Sequence, residues 1–133
     1  MNSSKLTPTL EAVREAVHQK CAEVGGHPFV ETTKGGWSIF NYAYAYPDLF
    51  SGPHAWLLRE CRGIAFDADG RLSSRPYHKF WNVEEVPETS WANLDFSQPH
   101  QVLEKLDGSM VRPMARAVGG RGPEIIFGTR KGP

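Results

Sequence analysis

The chain has 133 residues, enough for one small domain with a modest core. Its 40% hydrophobic and 23% charged residues are globular proportions, which exclude a disordered chain, and its formal net charge of zero means that bulk charge does not announce a nucleic-acid partner. The two cysteines, Cys21 and Cys61, lack metal-ligand spacing and suit a reducing compartment with free thiols. No basic start leads into an apolar run and no stretch is long enough to span a bilayer, so a soluble, cytoplasmic protein without a membrane partner is expected.

Thr7-Pro8 offers a helix cap with proline at the first helical position. Leu10, Val13, Val17, Cys21 and Val24 then recur at helical spacing until Gly25-Gly26 stops the pattern. Residues 27–31 and 36–46 read as two strands about Thr33 to Gly36, with Phe40, Tyr42, Tyr44 and Tyr46 on one side of the second. A loop over 47–53 and a short apolar or helical piece at 55–58 follow. Residues 61–66 and 71–74 form a hairpin about Asp67-Ala68-Asp69-Gly70, and a proline-rich connection comes after Trp81. Strands at 101–105, 109–117 and 124–127 complete the set, the last two joined by the glycine-rich run 119–123. The expected class is α+β, a largely antiparallel sheet with an N-terminal helix.

Several chemistries find no support. His18, His27, His54, His78 and His100 show no paired metal-ligand spacing, so no protein-built metal site is expected. Gly119-Gly120-Arg121-Gly122 lacks the Gly-Lys-Ser/Thr ending of a phosphate-binding Walker loop.

The run Glu104-Lys105-Leu106-Asp107-Gly108-Ser109 carries the chemistry. A lysine followed by x-Asp-Gly is a candidate nucleophile for nucleotidyl transfer: its amine attacks the α-phosphate of a nucleoside triphosphate and holds the nucleotide as a phosphoramidate. Asp107 can orient the amine or a metal ion, and Gly108 permits a tight turn. The same Asp-Gly between alternating segments is also a hairpin signal. Lysines ordinarily titrate near pH 10.4, so a catalytic Lys105 needs desolvation or neighbouring cations. Arg62, Lys79 and Lys131 are candidates, each also readable as a solvated surface charge. Tyr42 and Trp81 can stack on a base or fill a core. Asp107 and Ser109 can equally shape a turn.

Taken together, Glu60-Cys61-Arg62-Gly63-Ile64, Arg75-Pro76-Tyr77-His78-Lys79-Phe80-Trp81-Asn82, Lys105-Leu106-Asp107-Gly108-Ser109 and Lys131-Gly132 resemble, in order and spacing, the RNA ligases of the T4-phage type. These are ATP-dependent enzymes of the covalent nucleotidyltransferase superfamily. The resemblance runs from about Trp37 to the last residues. It implies a nucleotidyltransferase domain of the ATP-grasp-like DNA/RNA ligase kind, with Lys105 catalytic and Tyr42, Arg62, Lys79, Trp81, Asp107, Ser109 and Lys131 at the nucleotide. ATP and Mg2+ would be the cofactors, the ion accompanying the nucleotide and keeping much of its water. RNA ends bearing a 5′-phosphate and a 3′-hydroxyl would be the partners. The family's later motifs, a metal-holding carboxylate and a final lysine pair, have no counterpart here. Residues 1–133 are therefore expected to be the N-terminal portion of a single ligase domain, weak or inactive alone. The alternatives are a non-catalytic nucleotide- or RNA-binding module, and a related DNA ligase or guanylyl-transferring capping enzyme.

Overall fold

The computed structural model describes residues 6–118 and 120–133. The chain divides into two compact units, one of residues 1–79 with 110–133 and one of residues 80–109. Gly119, in the expected 119–123 connection, lies outside the described residues.

The first unit begins with helix α1, Leu10–Val24. Thr9 caps it in place of Thr7: Thr9 is extended and its hydroxyl accepts the Ala12 amide at 3.2 Å, while Pro8 stands outside the helix and is buried. The helix stops at Gly25, which takes the left-handed conformation and donates its amide to Cys21 O at 2.9 Å. Leu10, Val13, Ala16 and Val17 form the buried stripe. Val24, expected on that stripe, is 47% exposed, and Lys20 extends the stripe instead, its stem buried and its ammonium 3.1 Å from Glu23.

Four strands follow as an antiparallel meander in the order β1-β2-β3-β4: β1 Phe29–Lys34, β2 Trp37–Tyr42, β3 Arg62–Phe66 and β4 Leu72–Ser74. Strand β2 ends at Tyr42, whose partner Phe29 begins β1. Tyr44 and Tyr46, expected to continue it, are exposed and stack on each other at 6.3 Å, because no strand remains to pair with them before the 3-10 turn Pro47–Phe50. Helix α2, Ala55–Glu60, leads into β3 through Cys61, which caps the helix rather than starting the strand.

A two-stranded ribbon, β5 Arg112–Arg116 with β6 Glu124–Gly128, completes the unit. Met114 of β5 packs with Trp37, Ile39 and Ala65 in one buried cluster, with Ile126 against it. Ser73 bridges the two sheets, donating to Ala115 O and accepting from Trp37 Nε1 at 2.8 Å. On the opposite face of β2, Phe40 meets Phe66 edge-on. The Arg14–Glu31 fork also ties α1 to β1, but both side chains are partly exposed and such a pair contributes about 0–1 kcal/mol. Burying one Leu- or Phe-sized side chain contributes about 1.5–3 kcal/mol, so apolar packing decides the fold.

The second unit contains no strand. It has a 3-10 turn, Pro87–Thr89, held by local bonds such as Thr89 Oγ1 to Asn82 O at 2.8 Å and Trp91 N to Glu84 Oε1 at 2.6 Å. The strand expected at 101–105 is absent, as is the hairpin about Asp107-Gly108. Val102, Leu103 and Leu106 are 88%, 74% and 78% exposed. A strand is stabilised by the ladder it joins, and the segment has none; the ladder of β5 starts only at Arg112, three residues after the expected Ser109.

Gly128 gives a direct test of the ribbon's seat. A Cβ added there would lie 2.6 Å from Met114 Sδ and 2.9 Å from Gly132 O, whereas one added at Gly26 would meet nothing within 4 Å. Gly128→Ala is expected to destabilise the chain by about 1–3 kcal/mol in urea unfolding and Gly26→Ala to change it by under about 1 kcal/mol.

Candidate functional site

The first unit holds Tyr42, Arg62, Lys79 and Lys131, and the second holds Trp81, Lys105, Asp107 and Ser109. In the second, Trp81 is buried and the other three are exposed. Lys105 therefore stands on irregular, accessible backbone, next to the turn-permissive Gly108 at φ 126°.

In the first unit the strands themselves aim the candidates. The β2–β3 ladder pairs Phe40 with Ile64 and Asn41 with Arg62, so Gly63 is the extra residue of a bulge at φ 94°. Bulges re-aim neighbouring side chains, and Arg62 here donates Nη1 to Tyr77 O at 3.3 Å, two residues before Lys79. The Lys79 amide is in turn bound to Arg59 O at 2.7 Å, which fixes that segment against the end of α2. Gly63 also admits two close neighbours: a Cβ on it would lie 3.3 Å from Arg112 Nη2 and 3.3 Å from Arg130 Cγ.

Arg130 is the residue that the motif reading passes over. Its guanidinium lies over the Tyr42 ring, 4.4 Å from the centroid, while Nε donates to Asn41 Oδ1 at 2.7 Å and Nη2 to Tyr42 O at 3.2 Å. The Asn41 amide returns a bond to Arg130 O at 3.2 Å. Tyr42 also meets Phe50 edge-on at 5.7 Å. One face of Tyr42 is thus occupied by a cation held in a fork, and the adjacent Lys131 is exposed. The only signal in the sequence is that Arg130 precedes Lys131, since a contact across 88 residues leaves no local pattern.

Glu60 is buried and accepts a fork from Arg75, with Nη2 to Oε1 at 2.5 Å. This pair raises the Arg75 pKa, chiefly through its hydrogen bonds to Glu60. Cys21 and Cys61 are both free. Burial pushes the Cys61 thiol well above its ordinary range, and the neighbouring Glu60 charge adds to it, so this thiol is not a nucleophile. Among the described residues no three His, Cys, Asp or Glu side chains gather to hold a metal ion, and no helix is long and apolar enough to cross a membrane.

A family model described as RNA ligase, of the T4 type, matches residues 60–132, more than half of the chain. A protein of Thermovibrio ammonificans named "Putative RNA ligase" is 39% identical over 93 residues, which cover 68% of this chain and 23% of that protein. "RNA ligase 1" of bacteriophage TS2126 is 40% identical over 82 residues, 58% of this chain and 20% of that one. No solved structure matches the chain significantly. The chain belongs to the T4-type RNA ligase family. Its matched region spans between a fifth and a quarter of the length of these relatives.

Three expectations follow for Arg130 and the two thiols. Arg130→Ala removes a cation–π contact and two side-chain-donated hydrogen bonds, and is expected to destabilise by about 1–3 kcal/mol in thermal unfolding; Arg130→Lys recovers only part, because an ammonium cannot reproduce both planar donors. In native protein a thiol reagent at pH 8 should modify Cys21 and spare Cys61, with both reacting after denaturation. An unfolded chain ionises Cys61 near its reference value of 9.0 while the folded chain keeps the proton, so stability should fall as pH rises past about 9. The slope is at most about 1.4 kcal/mol per pH unit, and Cys61→Ala should remove that part of it.

Proposed function

We propose that the chain carries the nucleophile of an ATP-dependent RNA ligase and forms the N-terminal portion of its nucleotidyltransferase domain. The observation that carries this reading is the position of Lys105-Leu106-Asp107-Gly108-Ser109 inside the stretch matched by the RNA ligase family, with Arg62 and Lys79 before it and Lys131 after it. The accessibility of Lys105 is consistent with attack on a bound triphosphate.

In the first step the Lys105 amine loses a proton and its lone pair forms a bond to the α-phosphorus of ATP. The bond from that phosphorus to the bridging oxygen breaks, and pyrophosphate leaves with the electron pair. An oxygen of the RNA 5′-phosphate then attacks the same phosphorus and the lysine departs, regaining a proton. Finally the 3′-hydroxyl of a second end attacks the activated 5′-phosphate, seals the strand and releases AMP. Charge develops on phosphate oxygens throughout, which is what preorganised cations stabilise. Arg62, Lys79 and Lys131 are assigned to the phosphates or sugar, Tyr42 and Trp81 to the base, and Asp107 with Ser109 to the setting of Lys105. Arg130 already lies over the Tyr42 ring and Phe50 meets it edge-on, so a base stacked on Tyr42 would share the ring with them. Magnesium would accompany the bound triphosphate, keep much of its water and supply charge neutralisation there.

A second reading is a module that binds nucleotide or RNA without completing the reaction, which the exposure of Lys105, Asp107 and Ser109 on irregular backbone suits. Transfer of label from α-labelled ATP with magnesium separates the two. The ligase reading expects a covalent adduct, weak on the isolated chain and strong on a polypeptide of the relatives' full length, lost in Lys105→Ala and not formed with GTP. Equal labelling of Lys105→Ala would remove the nucleophile assignment; binding of ATP with no adduct in either length would establish the module.

A further inference from the structure

A cavity of about 660 Å³ opens in the first unit between α2, the 75–78 segment and the start of β5. None of the side chains assigned to ATP lines it. Its walls carry Arg59, Arg75 and Arg112 against a single acid, Glu60, with Trp56 and Tyr77 beside them. Glu60 is already taken by the fork from Arg75.

Arg112 is a different case. It is 6% exposed, its Nη2 reaches Thr129 O only at 3.5 Å, and its Nε and Nη1 meet no hydrogen-bond partner among the described residues. Burial lowers its pKa, the mark of a cation stripped of water without a counter-charge. A guanidinium held this way is costly, and an anion entering the cavity would offset the cost through charge-assisted bonds. The cavity's arginines outnumber its one acid, which selects against a cationic ligand and favours an anionic one.

The rest of the lining narrows the anion. Tyr77 is 75% exposed and Trp56 half-buried, and an aromatic ring set beside arginines is the combination that takes a base on its face and a phosphate on its guanidinium groups. A carboxylate ligand would use the arginine and leave the rings idle. The volume is ample for one nucleotide.

We propose that this cavity binds one nucleotide of a single-stranded RNA, with its phosphate on Arg112 and its base against Tyr77 and Trp56. The inference rests on the RNA ligase reading for its ligand class. It adds a subsite for the polynucleotide on side chains that the ATP assignment does not use.

The test measures two quantities on the purified chain: fluorescence anisotropy of a dye-labelled single-stranded RNA oligonucleotide, and label uptake from α-labelled ATP. Tyr77→Ala and Arg112→Met are each expected to weaken RNA binding roughly tenfold or more, the usual effect of removing a stacking ring or a desolvated phosphate contact. Arg112→Met should also flatten the salt dependence of binding. Label uptake should match the parent in both. Tyr77 is exposed, so its variant carries the test if Arg112→Met fails to fold. Unchanged RNA affinity in Tyr77→Ala, no RNA binding by the parent, or displacement of RNA by polyglutamate as readily as by unlabelled RNA would overturn the proposal, the last by giving the cavity to an acidic protein segment. Label uptake falling in step with RNA binding would overturn it in favour of ATP. RNA binding through these residues with no label taken either by the chain or by a polypeptide of the relatives' full length would sink the ATP reading and leave the cavity standing.

Discussion

The seating of the β5–β6 ribbon on the β2–β3 pair is the constraint on which the first unit's site depends. Met114 must reach the pocket formed by Trp37, Ile39 and Ala65, and the neighbouring strand must carry no side chain at Gly128, where a Cβ would strike the Met114 sulfur. Where those atoms meet, Ser73 spans the gap between the sheets, so packing and hydrogen bonding fix one register together. That register sets Arg112 opposite Gly128 and brings Arg130 across to Asn41 and Tyr42. A slip of one residue would turn each of these side chains to the other face.

Charge is arranged with the same economy. The chain is neutral overall, yet Arg112 and Arg130 both approach Gly63, directly after Arg62. Arg112 presents its guanidinium to Gly63 and Arg130 its aliphatic stem, and the fold answers the charges unevenly. Arg130 is answered by an aromatic face and an amide, Arg75 by a buried carboxylate, and Arg112 by a single long bond to a carbonyl. Cations concentrated without matching acids are what a phosphate ligand requires, so the local field carries information that the net charge conceals. The glycine at 63 makes the arrangement sterically feasible, since a Cβ would press on both arginines.

The second unit follows another logic. The hydrogen bonds that shape 82–98 join residues near one another in sequence, and the apolar side chains at 102, 103 and 106 face solvent. Local capping and turn chemistry is sufficient to shape 82–98, where Asp95 accepts from Ser97 and Gln98 and its pKa is lowered by those bonds. It cannot make a strand of 101–105, because alternation of apolar residues only expresses a preference that a neighbouring strand must satisfy.

Features that depend on residues close in the chain were legible from the amino-acid order alone. Helical spacing with a glycine stop defined α1, and Asp67-Ala68-Asp69-Gly70 defined the turn before β4, where Asp67 Oδ1 accepts the amides of Asp69 and Arg71. The ordered motifs placed the chain in its family, since they need only linear order to be read. Tertiary structure decided the remainder. Thr9 rather than Thr7 caps α1 because capping depends on the extended turn before the helix, and β2 ends at Tyr42 because its partner strand does. The Arg130–Tyr42 stack and the orphaned donors of Arg112 come from contacts between strands distant in sequence. Periodicity reports which face of an element is apolar, and only packing decides what that face meets.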